Sequence, residues 1–158
     1  MEFNIIAILV AALVPMILGF LWYGPMLFQN AWMKASGVTE EHLKSGNMAV
    51  IFGVSLVLAI ILSFFTQFLV IHEMGVYGMT EGHLEGDTAK AFLAEWAGKY
   101  RSFGHGAIHG GMAGVMFVFP IIGIINFFER KPFKLTLINA GYWVIVLAVM
   151  GAIISGWV

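Results

Sequence analysis

The chain contains no cysteine, which excludes disulfides, thiolate metal ligands and a cysteine nucleophile, and leaves the redox compartment unreadable. Charge is also scarce. Charged residues make up 11% of the 158 residues and sum to −1, so there is no basic surface to hold nucleic acid. No Asp, Glu, Lys or Arg falls in the central part of any long apolar run, which removes the proton relay or gating charge that an ion-coupled pump needs. No Ser or Thr lies in a nucleophile elbow with His and Asp partners, so an enzyme is the less expected class.

What remains is oil and glycine. Hydrophobic residues account for 60% of the chain and the mean hydropathy is +0.90, more apolar surface than a soluble core of this size can bury. Four runs are long enough to cross about 30 Å of hydrocarbon at about 1.5 Å per residue: 3–23, 48–72, 103–128 and 135–158. The expected architecture is all-α: one integral membrane four-helix bundle over residues 1–158, with short interfacial amphipathic helices. Glu2 stands where a secretory signal would carry a base, and the first run exceeds a signal's apolar core, so it is expected to be a retained helix.

Loops one and three carry Lys34, Lys44, Arg130, Lys131 and Lys134, against Lys90, Lys99 and Arg101 in the long second loop. Five against three places the termini and loop 73–102 in the periplasm, if the membrane is a bacterial inner membrane.

The first span contains Pro15, which should bend it, and Gly19, which permits close approach; it ends in LWYGP, with Trp22 and Tyr23 as interface anchors. Leu27, Phe28, Ala31 and Trp32 follow helical spacing in a short surface segment ended by Gly37, and Thr39 is placed to cap EEHLKSG. In the second span Ser55, Ala59, Ser63, Thr66 and Glu73 form one stripe facing other helices, with Gln67 on its flank. In the second loop Asp87 is placed to cap an amphipathic surface helix over 88–100, whose apolar face is Ala89, Phe92, Leu93, Trp96 and Tyr100. Gly106, Gly110 and Gly114 recur every four residues on the third span, with Pro120 and Gly123 bending its lower half; Gly151 and Ser155 are small positions on the fourth, anchored by Trp157. LWYGP followed by NAW echoes FFERKP followed by NAGYW, a pattern that two parallel hairpins would produce.

Two stretches, LWYGPMLFQNAWMKASGVTEEHLKSGNM and NFFERKPFKLTLINAGYWVIVLAVMGAIISGW, resemble the small bacterial membrane proteins grouped as a domain of unknown function and marked by a Trp-Tyr-Gly/Ser-Pro break, the DUF1761-type family. That resemblance implies four transmembrane helices and brings no activity, substrate or site residue with it.

The sharpest chemical signal is HGAIH, in which His105 and His109 share one helical face at the i, i+4 spacing of helical metal sites. Neutral imidazoles suit a divalent metal such as Zn, Cu or Ni, or haem iron. Further ligands would come from the same membrane side: His72 and Glu73 at the end of the second span, or Glu81, His83 and Glu85 in the loop. The metalloprotease glutamate is missing, since Gly106 holds its place. The competing explanation is a pair of interfacial histidines beside a packing groove. Around the third loop, Asn126, Asn139, Glu129, Arg130 and Lys131 fit either a lipid headgroup site or a solvated turn with capping asparagines.

Three functional readings follow. The leading one is a non-enzymatic binding or assembly component, a homo-oligomer or part of a larger membrane complex, packed through Gly106, Gly110, Gly114, Gly151 and Ser155. The second is a metal- or haem-binding membrane subunit using His105 and His109 with His72 or Glu73. The third is a small-solute channel in an oligomer, lined by Ser55, Ser63, Thr66 and Gln67.

Overall fold

A computed structural model describes residues 3–158; Glu2, used above to argue against a cleaved signal, lies outside the described residues. The order is α1 (Ile5–Trp22), α2 (Gln29–Ser36), α3 (Glu40–Ser45), α4 (Met48–Val70), α5 (Glu73–Met79), α6 (Asp87–Trp96), α7 (Phe103–Ala113), a π-helical turn (Gly114–Val118), α8 (Phe119–Phe128) and α9 (Phe133–Gly156). Helices α1, α4, the continuous Phe103–Phe128 helix and α9 are each long and apolar enough to cross a bilayer. No strand occurs among the described residues, and the expected all-α membrane bundle is the fold observed.

Helix α9 is the hub. Its most apolar window is 44% buried, against 11% for α4, because α1, α4 and the α7–α8 helix all pack on it. Val146, Met150, Ala140 and Ala11 are fully enclosed at these contacts, while α4 turns Val57, Leu58 and Phe65 outward, where only lipid can cover them. The glycine ladder sets the closest contact. A Cβ on Gly106 would collide with the Gly151 carbonyl and the Ser155 side chain, one on Gly110 with the Leu147 carbonyl, and one on Gly114 with Val144. The small residues expected to pack copies together are therefore consumed within one chain, by α7 and the π turn against α9.

Proline shapes two spans. At Pro15, inside α1, the carbonyl accepts a 2.7 Å hydrogen bond from the Tyr142 hydroxyl, tying the proline turn to α9. The third span relaxes into a π turn just before Pro120, and the Phe119 amide reaches back five residues to the Gly114 carbonyl.

Three polar residues of α4 are spent on buried backbone hydrogen bonds rather than on lining a pore. Ser63 donates to the Ile8 carbonyl (2.7 Å), Thr66 to Leu62 (2.7 Å), and the Gln67 amide to Phe64 (2.8 Å), with all three side chains buried. Around the third loop, Asn126 donates to Thr136 Oγ1 (3.0 Å) and Asn139 accepts from the Tyr23 hydroxyl (3.1 Å), so each asparagine joins two helices instead of capping one. Lys131 reaches the Ser36 carbonyl at 2.9 Å and fastens α2 to this turn.

Loop two departs from expectation at both ends of its surface helix. Gly86, not Asp87, occupies the N-cap position, and α6 stops at Trp96 rather than running to residue 100. Gly98 adopts φ +74, a left-handed conformation that L side chains resist, and it reverses the chain so that Tyr100 leaves the helical line. Ahead of α6, the glycine-bearing segment after His72 forms α5.

Candidate metal centre

Three histidines meet at the loop-two end of the bundle. His72 follows the last turn of α4. His105 and His109 occupy the first two turns of α7, whose start is defined by Ser102 accepting the His105 amide. The break in α4 at Ile71 turns His72 sideways towards α7, and the ladder that seats α7 on α9 fixes the height of the other two. His72 Nε2 lies 3.0 Å from His105 Nε2 and 3.3 Å from His109 Nε2, and ligand atoms of all three lie within 4.8 Å of one another. The His72 ring stands at 65° to His105 and 85° to His109, so it packs edge-on against both imidazoles instead of stacking.

The two separations from His72 match what an ion demands. Metal–nitrogen bonds of about 2.0–2.1 Å at a tetrahedral angle put ligand nitrogens about 3.3 Å apart, and octahedral cis positions put them about 3.0 Å apart. Without an ion, the single N–H or single lone pair of His72 Nε2 must serve both neighbours, so no tautomer gives His105 and His109 each a hydrogen bond of its own to it. An ion uses all three lone pairs at once. Three histidines also leave one coordination position for water or an exchangeable ligand, the pattern of reactive rather than purely structural sites.

The second loop roofs the cluster. The Tyr100 ring lies 5.3 Å from His105 at 29° and 5.3 Å from His72; Trp96 stacks on Tyr100 at 11°, and Lys99 Nζ sits 3.7 Å above the Trp96 ring. His105 and His109 are half-buried, while His72 keeps an exposed edge. Sequence reasoning assigned Tyr100 to a lipid-facing stripe, because helical periodicity could not register the reversal at Gly98.

The other expected ligands are elsewhere. The Glu73 carboxylate accepts the Gly98 amide and so holds the reversal that delivers Tyr100. Glu85 pairs with Lys90 at 2.9 Å on the surface, and Glu81 forms a left-handed turn at φ 49. None of these carboxylates joins the histidine cluster, and neither does His83. Arg101 closes the end of the bundle, donating from Nε to the Ser155 carbonyl (3.0 Å) and from its terminal nitrogen to Ile154 (3.3 Å), where cations favour a helix C-terminus.

Of the aromatic residues expected at the membrane interface, which include Trp96, Trp22 and Tyr23 also tie α1 to α9, through Trp22 Nε1 to the Ile138 carbonyl (3.1 Å) and Tyr23 to Asn139. Trp96 belongs to the roof. Trp157 is exposed at the end of α9, where its carbonyl accepts from Asn4 at 3.1 Å.

A family model described as "Protein of unknown function (DUF1761)" matches residues 6–155, and the chain belongs to that family, as the two quoted motifs led us to expect. No curated protein and no solved structure matches the chain.

Proposed function

We propose that this member of the DUF1761 family is a membrane-embedded metal-binding protein that holds one divalent first-row cation, with zinc as the first choice, through His72, His105 and His109. The observation that carries this reading is the convergence of three imidazoles, one from the end of α4 and two from α7, with His72 Nε2 3.0 and 3.3 Å from the Nε2 atoms of His105 and His109 and all three ligand atoms within 4.8 Å of one another. Haem is disfavoured by the same distances, because nitrogens about 3 Å apart leave no slot for a porphyrin between them. The fourth position, under the Tyr100 roof and beside the exposed edge of His72, receives water or a small exchangeable ligand.

The binding-component reading of the sequence thus acquires a ligand. Its oligomeric part loses its original support, since the glycine ladder is covered by the chain's own α9. The channel reading loses three of its four lining residues in the same way, Ser63, Thr66 and Gln67. The excess of Lys and Arg on loops one and three supports placing the histidines on the periplasmic face of a bacterial inner membrane.

The test is elemental analysis of tag-free protein, before and after zinc re-addition and removal of free metal. One equivalent is expected in the wild type and none in His72→Ala/His105→Ala/His109→Ala. Metal-free wild type after re-addition, or equal metal in the triple variant, overturns the proposal.

A further inference from the structure

In the opposite half of the bundle, the C-terminal half of α1, the N-terminal half of α4 and α9 enclose a cleft of about 480 Å³. Its walls are short where larger side chains would close it: Gly19 on α1, Ser55 and Ala59 on α4. The back wall is braced and cannot collapse inward. Tyr142 is held by its bond to the Pro15 carbonyl, and Tyr23, 5.1 Å from Tyr142 by ring centroid, is held by Asn139. The rim residues Phe20, Phe52 and Leu58 are 81%, 52% and 59% exposed at bilayer depth, so the cleft opens sideways into lipid rather than into water.

A second cavity of about 500 Å³ adjoins it beneath the surface helices α2 and α3 and shares Tyr23 and Trp143 with the first. Its lining differs in chemistry. Gln29, Asn139 and Trp32 bring two amides and an indole to the level of the membrane interface. The same surface carries five of the eight Lys and Arg residues, with the Lys131 ammonium held against the end of α2.

From this juxtaposition we infer that the paired cavities form a binding site for one membrane phospholipid, with an acyl chain in the α1–α4–α9 cleft and the phosphate at the mouth under α2. Size and depth agree with that occupant. The cleft volume falls in the range of about 300–1,000 Å³ typical of ligand sites. Pro15 to Tyr23 covers about 12 Å of helix rise, close to the roughly 15 Å of hydrocarbon in one leaflet. An apolar slot with a lateral mouth takes the chain, while the Gln29 amide and the Trp32 indole line the level of the phosphate, and the basic residues of the same membrane face supply a favourable field for an anionic headgroup. The site is separate from the histidine centre, which lies at the other membrane face, and does not depend on it.

The experiment is native mass spectrometry of the full chain released from nanodiscs of palmitoyl-oleoyl phosphatidylglycerol. The wild type should retain one lipid under activation that strips the rest. Ser55→Trp, which fills the cleft from α4, and Met16→Trp, which fills it from α1, should each reduce that retained species at least tenfold, with helicity checked by circular dichroism. Ile124→Trp, on a lipid-facing surface elsewhere, should leave it unchanged. Retention of the single lipid in a folded cleft-filling variant, its equal loss in Ile124→Trp, or a smooth distribution of lipid numbers in the wild type overturns the inference.

Discussion

The Tyr100 ring lies against the His105 imidazole at 5.3 Å and 29°, although Tyr100 belongs to the surface loop and His105 to a membrane span. That contact makes the second loop part of the histidine centre. Replacing Tyr100 by Leu should leave metal stoichiometry intact, because no ligand is lost, while admitting further water beyond the fourth ligand. With Co²⁺ as the probe, the intense visible bands of a four-coordinate site should weaken towards those of a higher-coordinate one, and metal release to a chelator should accelerate about tenfold, in the range of lost outer-shell support. An unchanged spectrum and release rate would remove Tyr100 from the site.

Glu73 was a candidate ligand and is instead the acceptor for the Gly98 amide. Glu73→Gln should therefore retain a full equivalent of metal. It should also loosen loop two by about 1 kcal/mol, because a charge-assisted hydrogen bond becomes a neutral one. Faster amide exchange over residues 97–101 is the readout, and loss of metal without faster exchange would return Glu73 to the ligand set.

Gly98→Ala asks an L side chain to hold φ +74, at a cost of about 1–2 kcal/mol. The expected result is a lower thermal midpoint together with the same faster metal release as Tyr100→Leu, since the strained turn no longer delivers the ring. A variant with wild-type release kinetics would separate the turn from the roof.

The glycine ladder yields a paired test. Gly110→Ala sets a methyl group against the Leu147 carbonyl and should cost about 1–3 kcal/mol as the helices are forced apart. Gly53→Ala, where a Cβ meets nothing within 4 Å on α4, should be neutral or stabilising by about 0.5–1 kcal/mol from the entropy glycine otherwise loses. Thermal unfolding in detergent should place Gly110→Ala below the wild type and Gly53→Ala at or above it; equal midpoints would contradict the close packing of α7 on α9.

Tyr142→Phe removes only the hydroxyl that bonds the Pro15 carbonyl at 2.7 Å. Hydrogen bonds between membrane helices are worth on average about 0.6 kcal/mol and at most about 1.7 kcal/mol, so a modest drop in thermal midpoint is expected, with no change in metal content. A stability loss far beyond that range would mean that the bond also maintains the α1 turn itself.

The class of this protein and its spans were legible in the chain because both depend on local quantities. Apolar runs report the thickness to be crossed, and Gly37, Thr39, Trp22 and Tyr23 sit within a residue or two of the breaks they mark. The i, i+4 spacing placed His105 and His109 on one face, and shared membrane side brought His72 into consideration. Local quantities carry no information about which of several eligible neighbours an element will meet. His72 and Glu73, with His83 and two further carboxylates behind them, all remained eligible until the ending of α4 and the glycine contacts between α7 and α9 aimed one nitrogen and not the others. The sequence by itself thus determined a bilayer protein of four helices with histidines at one end. Only the tertiary structure decided that three of them share a point, that a tyrosine covers them, and that the glycines serve the chain's own packing, because each of these depends on distances between residues far apart in the chain.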